Sequence, residues 1–524
     1  MVLAMAWGQR IIVVVSGPVA GGKSALAREL ANRFSGLRLS TRDILMTRLR
    51  EGTEPTRAAF QLVGEELDRE TGGSWVADKL GRKIFKARER GVELIIVDAA
   101  RIAGQIDGLR DAFGREVCHV HITASLETCA ERYAERQARQ EFVEAASYAE
   151  VRDNATERDI DDLAPLADIA LDTDRDSAED VLVRVAARLG LLDRENAASV
   201  DVIIGGQYGS EGKGNIAYHL APEYDLLVRV GGPNAAHKVP LASGEYTHFM
   251  LPSGTLAGTA QLLIGAGAVV YLPELFREIA DADIDYKRLS IDPQVMIIED
   301  YDKVEEKQLR ERIASTASGA GEATARRVLR GDGVRLASQV PDLEPYVRPS
   351  SEIFERAYAQ RWRIMLEGTQ GSALSLYHGF YPHVTSRDSN VAGCLAEAGI
   401  APARVRRVVM VVRSYPIRVG GPSGPMTREI SWEEVERRAE LPAGTLSSPD
   451  KELTSKTKTK RRVGEFEWDS VRRAAMLNAP TDIALTFADY IHESNARAWR
   501  FEQLTRDTLQ MVDELERVTG RASR

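Results

Sequence analysis

Cysteine is scarce in this chain, aromatic residues make up only 6% of it, and no apolar run is long enough to cross a bilayer. Three cysteines in 524 residues, Cys118, Cys129 and Cys394, fall at no metal-ligand spacing, which argues against a disulfide framework and leaves buried thiols. The missing apolar run excludes a spanning helix, so no membrane partner is expected. The opening "MVLAMAWGQRIIVVVSGP" lacks the layout of a signal peptide, because its apolar residues lead straight into a phosphate-loop pattern. A cytoplasmic protein is the resulting expectation. Basic excess is lacking too: the net charge of −9 argues against a general nucleic-acid binder, although a local basic pocket for a small anion remains open. Internal repeats and low-complexity linkers are also missing. The length exceeds one ordinary core, at roughly 100 to 200 residues per domain, so two or more packed domains are expected.

What is present begins with "RIIVVVSGPVAGGKSALARELANRF", a β-branched run, a glycine loop and a helical pattern in the order of a Walker A site. Backbone N–H groups between Gly17 and Gly22 would surround phosphates, Lys23 would reach the terminal ones, and the Ser24 hydroxyl would ligate magnesium. A second buried strand in "GVELIIVDAARIAG" ends in Asp98, a carboxylate suited to the magnesium side. The first 190 or so residues resemble a P-loop kinase of the nucleoside-monophosphate kinase class, which implies ATP as the nucleotide there. Asp43, Arg101, Arg132 and Arg136 are candidates around its acceptor, and Asp43, Arg132 and Arg136 read equally well as solvated helix charges. Binding of nucleotide only to regulate the neighbouring domain is the alternative.

"RVAARLGLLDRENAASVDVIIGG" closes a helix at Leu189-Gly190 and opens a strand at Val200, which puts a boundary near residue 197 and domains over 1–196 and 197–524. Both parts alternate buried strands with helices. The expected fold is α/β, two domains with mainly parallel sheets flanked by helices and ligands at the C-terminal ends of strands.

In the second part the blocks "GGQYGSEGKGN", "RVGGPNAAHKV", "THFMLPSG", "LEGTQGSALSLYHGFYPHVTSRDSNVAG", "SYPIRVGGPSGP" and "KTKTKRRVGEFEWDSVRRAAMLN" follow one another. Six blocks in this order resemble the adenylosuccinate synthetase family. The resemblance implies a ligase joining L-aspartate to C6 of a purine nucleoside monophosphate through a 6-phosphoryl intermediate, with GTP, Mg2+ and a homodimer. Carried over residue by residue, Gly209, Glu211, Gly212, Lys213 and Gly214 would cradle the nucleoside triphosphate, with Gly209 also beside the metal. His237 matches the catalytic histidine, and Asn234, Gln370 and Thr385 would hold the acceptor nucleotide. Ser315 and Thr316 would take its 5′-phosphate, with Arg326 or Arg327 donated by the other subunit. Thr457, Lys458, Lys460, Arg461 and Arg462 form a cationic loop for the two carboxylates of aspartate.

Three positions depart from the family pattern. Its loop reads Gly-Asp-Glu-Gly-Lys-Gly, and the aspartate takes the N1 proton of a 6-oxopurine; here that position is Ser210, a hydroxyl too weak as a base at neutral pH. A shorter neutral side chain beside C2 admits a 2-amino group, which is similar to the phage relatives that attach aspartate to dGMP. The expected acceptor is then GMP or dGMP in place of IMP, with a nucleotide-binding sensor that has lost ligation as the alternative. In "IALTFADYI" Asp489 of the family's Thr-Lys-x-Asp segment remains, but Phe487 stands for the lysine, so ATP or dATP competes with GTP as donor. After "FEQLTRDTLQMVDELERVTG", an amphipathic helix, the family's last strand and Gly-Pro loop do not follow, from which weaker donor binding is expected.

Overall fold

The structure, a computed structural model, describes residues 10–49, 54, 56–138, 147–192, 198–426, 428–454 and 458–520. Two compact units divide the chain, residues 1–195 and 196–524.

In the first unit β1 (Ile11–Ser16), β2 (Leu37–Ser40), β3 (Leu94–Asp98), β4 (Val117–Thr123) and β5 (Ile169–Asp172) form one sheet. Their order is β2, β3, β1, β4, β5, and every pairing is parallel. A parallel sheet covered on both faces demands unbroken apolar strands, and IIVVVS in β1 is buried at all six positions. Ile12 and Val14 face one core with Leu80 and Ile84, while Ile11, Val13 and Val15 face the other with Leu26 and Leu30. The helices used below are α1 (Lys23–Arg33), α2 (Thr41–Met46), α3 (Arg57–Thr71), α4 (Trp75–Glu89) and α5 (Ala103–Phe113).

The second unit carries a seven-stranded sheet. Its spatial order is Leu289–Ile291, Gln261–Ile264, Leu226–Arg229, Ile364–Glu367, Val200–Gly205, Val405–Arg413 and Asp482–Thr486, all parallel. Along Val200–Gly205 the side chains alternate between two cores: Val200, Val202 and Ile204 meet Val228 and Leu366, whereas Ile203 meets Leu227 and Met365. The C-terminal ends of the central strands therefore bring together the loops that follow Gly205, Glu367 and Arg413. An antiparallel hairpin, His237–Leu241 with Gly244–His248, stands beside them and fixes the backbone of His237. The amphipathic C-terminal segment forms the helix Arg506–Thr519, which inserts Leu515 into the first of these cores.

Candidate functional site

In the first unit the turn after β1 is closed by two glycines with positive φ. At Gly17 (φ 137°) a Cβ would lie 2.2 Å from the Ile122 carbonyl oxygen, so no side chain fits. Gly22 (φ 106°) caps α1 and leaves the helix's first N–H groups turned towards the loop. Lys23 is buried and donates to the Gly17 carbonyl at 2.7 Å, curling over its own loop. Ser24 Oγ donates to Asp98 Oδ1 at 3.1 Å, and Arg38 Nε donates to Asp98 Oδ2 at 3.0 Å. A hydroxyl and a carboxylate side by side at the mouth of a phosphate loop are hard oxygen ligands that fit magnesium, which would neutralise phosphate charge there. Around them opens a cavity of about 400 Å³. Arg101 lines it, paired with Glu157, while Asp43 is exposed and Arg132 is bonded to Thr173.

The second loop also ends at a helix, Lys213–Leu220, capped by Gly212 at φ 88°. Gly209 (φ 93°) packs on Gln370, where a Cβ would come within 3.1 Å of its Cα. Glu211 faces inward: one carboxylate oxygen accepts from the N–H groups of Gln207 (2.9 Å) and Gly209 (2.8 Å), and the other accepts from Lys213 Nζ (2.7 Å). It therefore holds the shape of the loop and pairs with the lysine, a different part from the phosphate contact expected of it. The Gly209 carbonyl accepts from the same ammonium at 3.1 Å, which makes it a poor metal ligand. Among the described residues no group of three or more His, Cys, Asp or Glu side chains is placed to hold a metal ion. Gly214 leaves room for the hairpin, since a Cβ there would meet His237 Cβ at 2.9 Å.

Ser210 is half-buried at the rim of a second cavity, of about 350 Å³, lined also by Asn234, His237, Ser315, Thr316, Gln370, Thr385 and Arg461. Of the expected acceptor and aspartate residues, these are the ones the fold brings together. Both amide atoms of Gln370 are buried without a partner, as is Asn234 Oδ1, whose own amide donates to Thr385 Oγ1 at 3.2 Å. Buried unpaired amides cost about 1 to 3 kcal/mol each unless a ligand completes them, so they mark where a polar base would sit.

His237 is held from behind. Its Nδ1 bonds the Glu367 carboxylate, which also accepts from Arg229 Nη1 at 2.9 Å and from the Ser253 N–H at 2.7 Å. Burial, reinforced by the Arg229 charge, pushes the His237 imidazole down to about 4, while the Glu367 pair opposes. Burial would raise Glu367, but Arg229 and His237 hold it well below the usual carboxylate range. The ring is therefore neutral, with Nδ1–H donating to Glu367 and the Nε2 lone pair buried without a partner at the cavity.

Several expected roles are not supported by these positions. Arg326 bonds Asp302 (2.8 and 2.7 Å) and the Gly333 carbonyl, and Arg327 Nη1 bonds the Gln294 carbonyl at 2.6 Å. Lys460 donates to the carbonyls of Leu446, Ser448 and Lys451, and Arg462 pairs with Glu429 while bonding the Gly424 carbonyl. Both knit the basic loop together. Lys458 is exposed, and Thr457 lies outside the described residues. Sequence reasoning passed over Arg418, Arg312 and His383 of the cavity wall, and Glu367 behind the histidine. Arg418 and Glu367 stand inside the quoted blocks, and a charged residue set among glycines was the available signal.

On the far side of the loop Thr486 Oγ1 donates to the Glu211 carbonyl, and the Phe487 ring packs against Gly212. The Arg413 guanidinium lies 3.8 Å from the centre of that ring, fully buried, with Nη2 4.0 Å from Glu452 and Nε and Nη2 without a hydrogen-bond partner. Asp489 follows, and burial raises its carboxyl above the ordinary value.

A phosphate loop facing an acceptor cavity, with a neutral histidine backed by a carboxylate between them, defines a class of enzyme that activates an oxygen by phosphorylation so that a nucleophile can displace it. Residues 202–341 and 335–496 match the adenylosuccinate synthetase family model, and residues 12–158 match an AAA domain model, the P-loop kinase-like part. The chain belongs to the adenylosuccinate synthetase family and is a ligase that forms a C–N bond. The adenylosuccinate synthetase of Pyrococcus horikoshii is 35% identical over 327 residues, covering 61% of this chain and 92% of the relative. That of Methanocaldococcus jannaschii is also 35% identical, over 61% of this chain and 91% of its own. Among solved structures, the fully ligated adenylosuccinate synthetase of Plasmodium falciparum shares the fold, with a TM-score of 0.54 at 20% identity over 62% of this chain and 96% of that one. The succinoaminodeoxyadenylate synthetase of cyanophage S-2L, bound to dGMP and to dATP as an energy donor, has a TM-score of 0.52 at 28% identity, over 62% and 91%.

Proposed function

We propose that the second unit joins L-aspartate to C6 of a 2-amino-6-oxopurine nucleoside monophosphate, GMP or dGMP, with an adenine nucleotide as phosphate donor. The observation that carries this reading is Ser210 at the wall of an acceptor cavity whose buried amides still lack partners. A carboxylate at that position would accept from N1–H yet crowd a 2-amino group; the serine removes the crowding. The cyanophage relative bound to dGMP and dATP supports the same choice of acceptor and donor. Phe487, stacked under Arg413, stands where the family pattern has a lysine, so the lysine stem is not there to favour a guanine donor.

The chemistry runs in two displacements. O6 of the purine attacks the γ-phosphorus of the donor, the bond to the diphosphate breaks, and the N1 proton leaves. The Nε2 lone pair of His237 can take up that proton, with Glu367 stabilising the imidazolium that forms. The amine of aspartate then attacks C6 and phosphate departs from it. Lys213, exchanging Glu211 for phosphate oxygens, neutralises transferred charge. Arg461 and Arg312 are the cavity cations suited to the aspartate carboxylates, whereas Arg418 is held by the carbonyls of Pro425, His383 and Ser423. Magnesium is assigned to Ser24 and Asp98 in the first unit, where ATP is the expected nucleotide.

A homodimer completes this reading. Arg330, at the C-terminal end of the helix Ala320–Leu329, is exposed and forms no ion pair among the described residues, and it follows Val328 and Leu329, exposed at 69% and 79%. It is a better donor of a guanidinium to a partner's acceptor phosphate than Arg326 or Arg327. Mass spectrometry of succino-nucleotides formed from IMP, GMP and dGMP with aspartate and ATP tests the proposal. Product with GMP or dGMP is expected; robust activity on IMP alone sinks the choice of acceptor, and nucleotide binding without phosphate release sinks ligation.

A further inference from the structure

The cavity of the first unit has polar lining that the phosphate loop does not explain. Lys23 and Arg42 line it, and the Arg42 guanidinium forms no ion pair among the described residues but sits 5.0 Å from the centre of the Phe60 ring. From α3 come Gln61, Glu65 and Asp68, at helical spacing from one another. Asp68 is set in place by Trp75 Nε1 at 2.7 Å and by Gln105 Nε2 at 2.9 and 3.1 Å; Oδ2 has only the amide contact and keeps an open lone pair. Gln105 is anchored in turn, its Oε1 accepting from the Arg101 N–H at 2.8 Å. Gln61 Nε2 is buried without any partner.

An ionised carboxylate accepts hydrogen bonds and repels carbonyl oxygens. Its best partner is a base edge with an amino group beside another donor, and the unpaired amide of Gln61 can complete that edge. Guanine offers this, through N1–H with the 2-amino group, whereas 2,6-diaminopurine sets the N1 lone pair between its two amino groups. Adenine offers one amino group, and thymine sets carbonyls on both sides of its N–H. Arg42, seated on the Phe60 ring, supplies a cation for the 5′-phosphate.

We infer that the first unit phosphorylates the monophosphate of a 2-aminopurine nucleoside, the same class of base that the second unit is proposed to modify. This rests on the reading of that unit as a P-loop kinase. An oxygen of the acceptor's 5′-phosphate dianion attacks the γ-phosphorus of ATP, the bond to ADP breaks, and ADP leaves with the electron pair; no proton need be removed.

The test uses the full chain with ATP and magnesium, and without aspartate so that ligation cannot consume ATP. The acceptors are dGMP, the monophosphate of 2,6-diaminopurine deoxyriboside, dAMP, dCMP and TMP, and diphosphate products are separated by ion exchange. At least a tenfold higher kcat/KM is expected for dGMP than for dAMP, with the diaminopurine nucleotide measuring what the 2-amino group contributes without N1–H. Asp68→Asn should collapse that ratio, and Gln61→Leu should lower it. A ratio of two substrates on one preparation does not depend on the fraction folded, so a partly misfolded variant still answers. Lys23→Ala should abolish transfer to every acceptor. Preference for dAMP or a pyrimidine overturns the assignment of the base and leaves the kinase reading standing, as does an equal loss on all acceptors in Asp68→Asn. ATP binding with no transfer to any monophosphate overturns both.

Discussion

Ser210 and His237 together set what the ligase site can do, and each makes a measurable claim. Restoring a carboxylate by Ser210→Asp returns an acceptor beside N1 and an obstacle beside the 2-amino group. We expect the ratio of kcat/KM for IMP over dGMP to rise at least tenfold, about 1.4 kcal/mol of discrimination, in a competition assay with both acceptors present. The buried histidines give a second outcome. Burial lowers His119 and brings His121 down to about 4, and His237 is held there by burial and Arg229. Each stays neutral in the folded chain and takes a proton on unfolding below its ordinary value of 6.5. Their effect on stability is therefore absent above that pH and grows as the pH falls towards 4, by at most about 1.4 kcal/mol per pH unit for each histidine. Urea midpoints at pH 7.5 and pH 5 should show the decline, and His121→Asn should flatten it. His237 was legible in the sequence only as a family motif. Its neutrality was not, because it depends on burial and on the Arg229 charge outweighing Glu367, 130 residues away.

At the scale of elements, both glycine loops follow a buried strand and precede a helix, and this order could be read directly from Ile11–Ser16 and Val200–Gly205. Two parallel sheets followed from the same alternation. What could not be read was which cations each loop uses internally. Lys460 and Arg462 look identical to Arg461 in the string KTKTKRRVG, yet only Arg461 turns to the cavity, because the first two meet carbonyls and a carboxylate brought by distant turns. Arg326 and Arg327 are likewise engaged by groups that the string does not show. One loop allows a sharp check: Gly17→Ala sets a Cβ against the backbone oxygen of Ile122 at 2.2 Å and forces a φ that alanine avoids. ATP binding by the first unit, followed by titration of a fluorescent analogue, should be lost, while succino-nucleotide formation continues.

For the whole molecule, each unit has its own pair of apolar cores on the two faces of its own sheet. Damage to one phosphate loop is therefore expected to spare the other activity. Across subunits the opposite holds if Arg330 serves a partner. Arg330→Ala and His237→Asn should each be inactive alone, and mixing the two should restore up to a quarter of the wild-type rate through one hybrid site per dimer. Failure of mixed subunits to regain activity after exchange would count against a shared site.

The buried lysine of the second loop carries a last consequence, for arrival rather than for chemistry. Lys213 is 1% exposed and neutralised by Glu211, so the loop of the second unit presents little net charge to a distant anion, whereas the Gly17 carbonyl that Lys23 meets is neutral and cancels none. With a net charge of −9 around it, the second loop draws nucleotide in only weakly by its own field. Association at that loop should show a shallow salt dependence in stopped-flow binding; a steep fall with added salt would show that Lys213 swings outward before the nucleotide arrives.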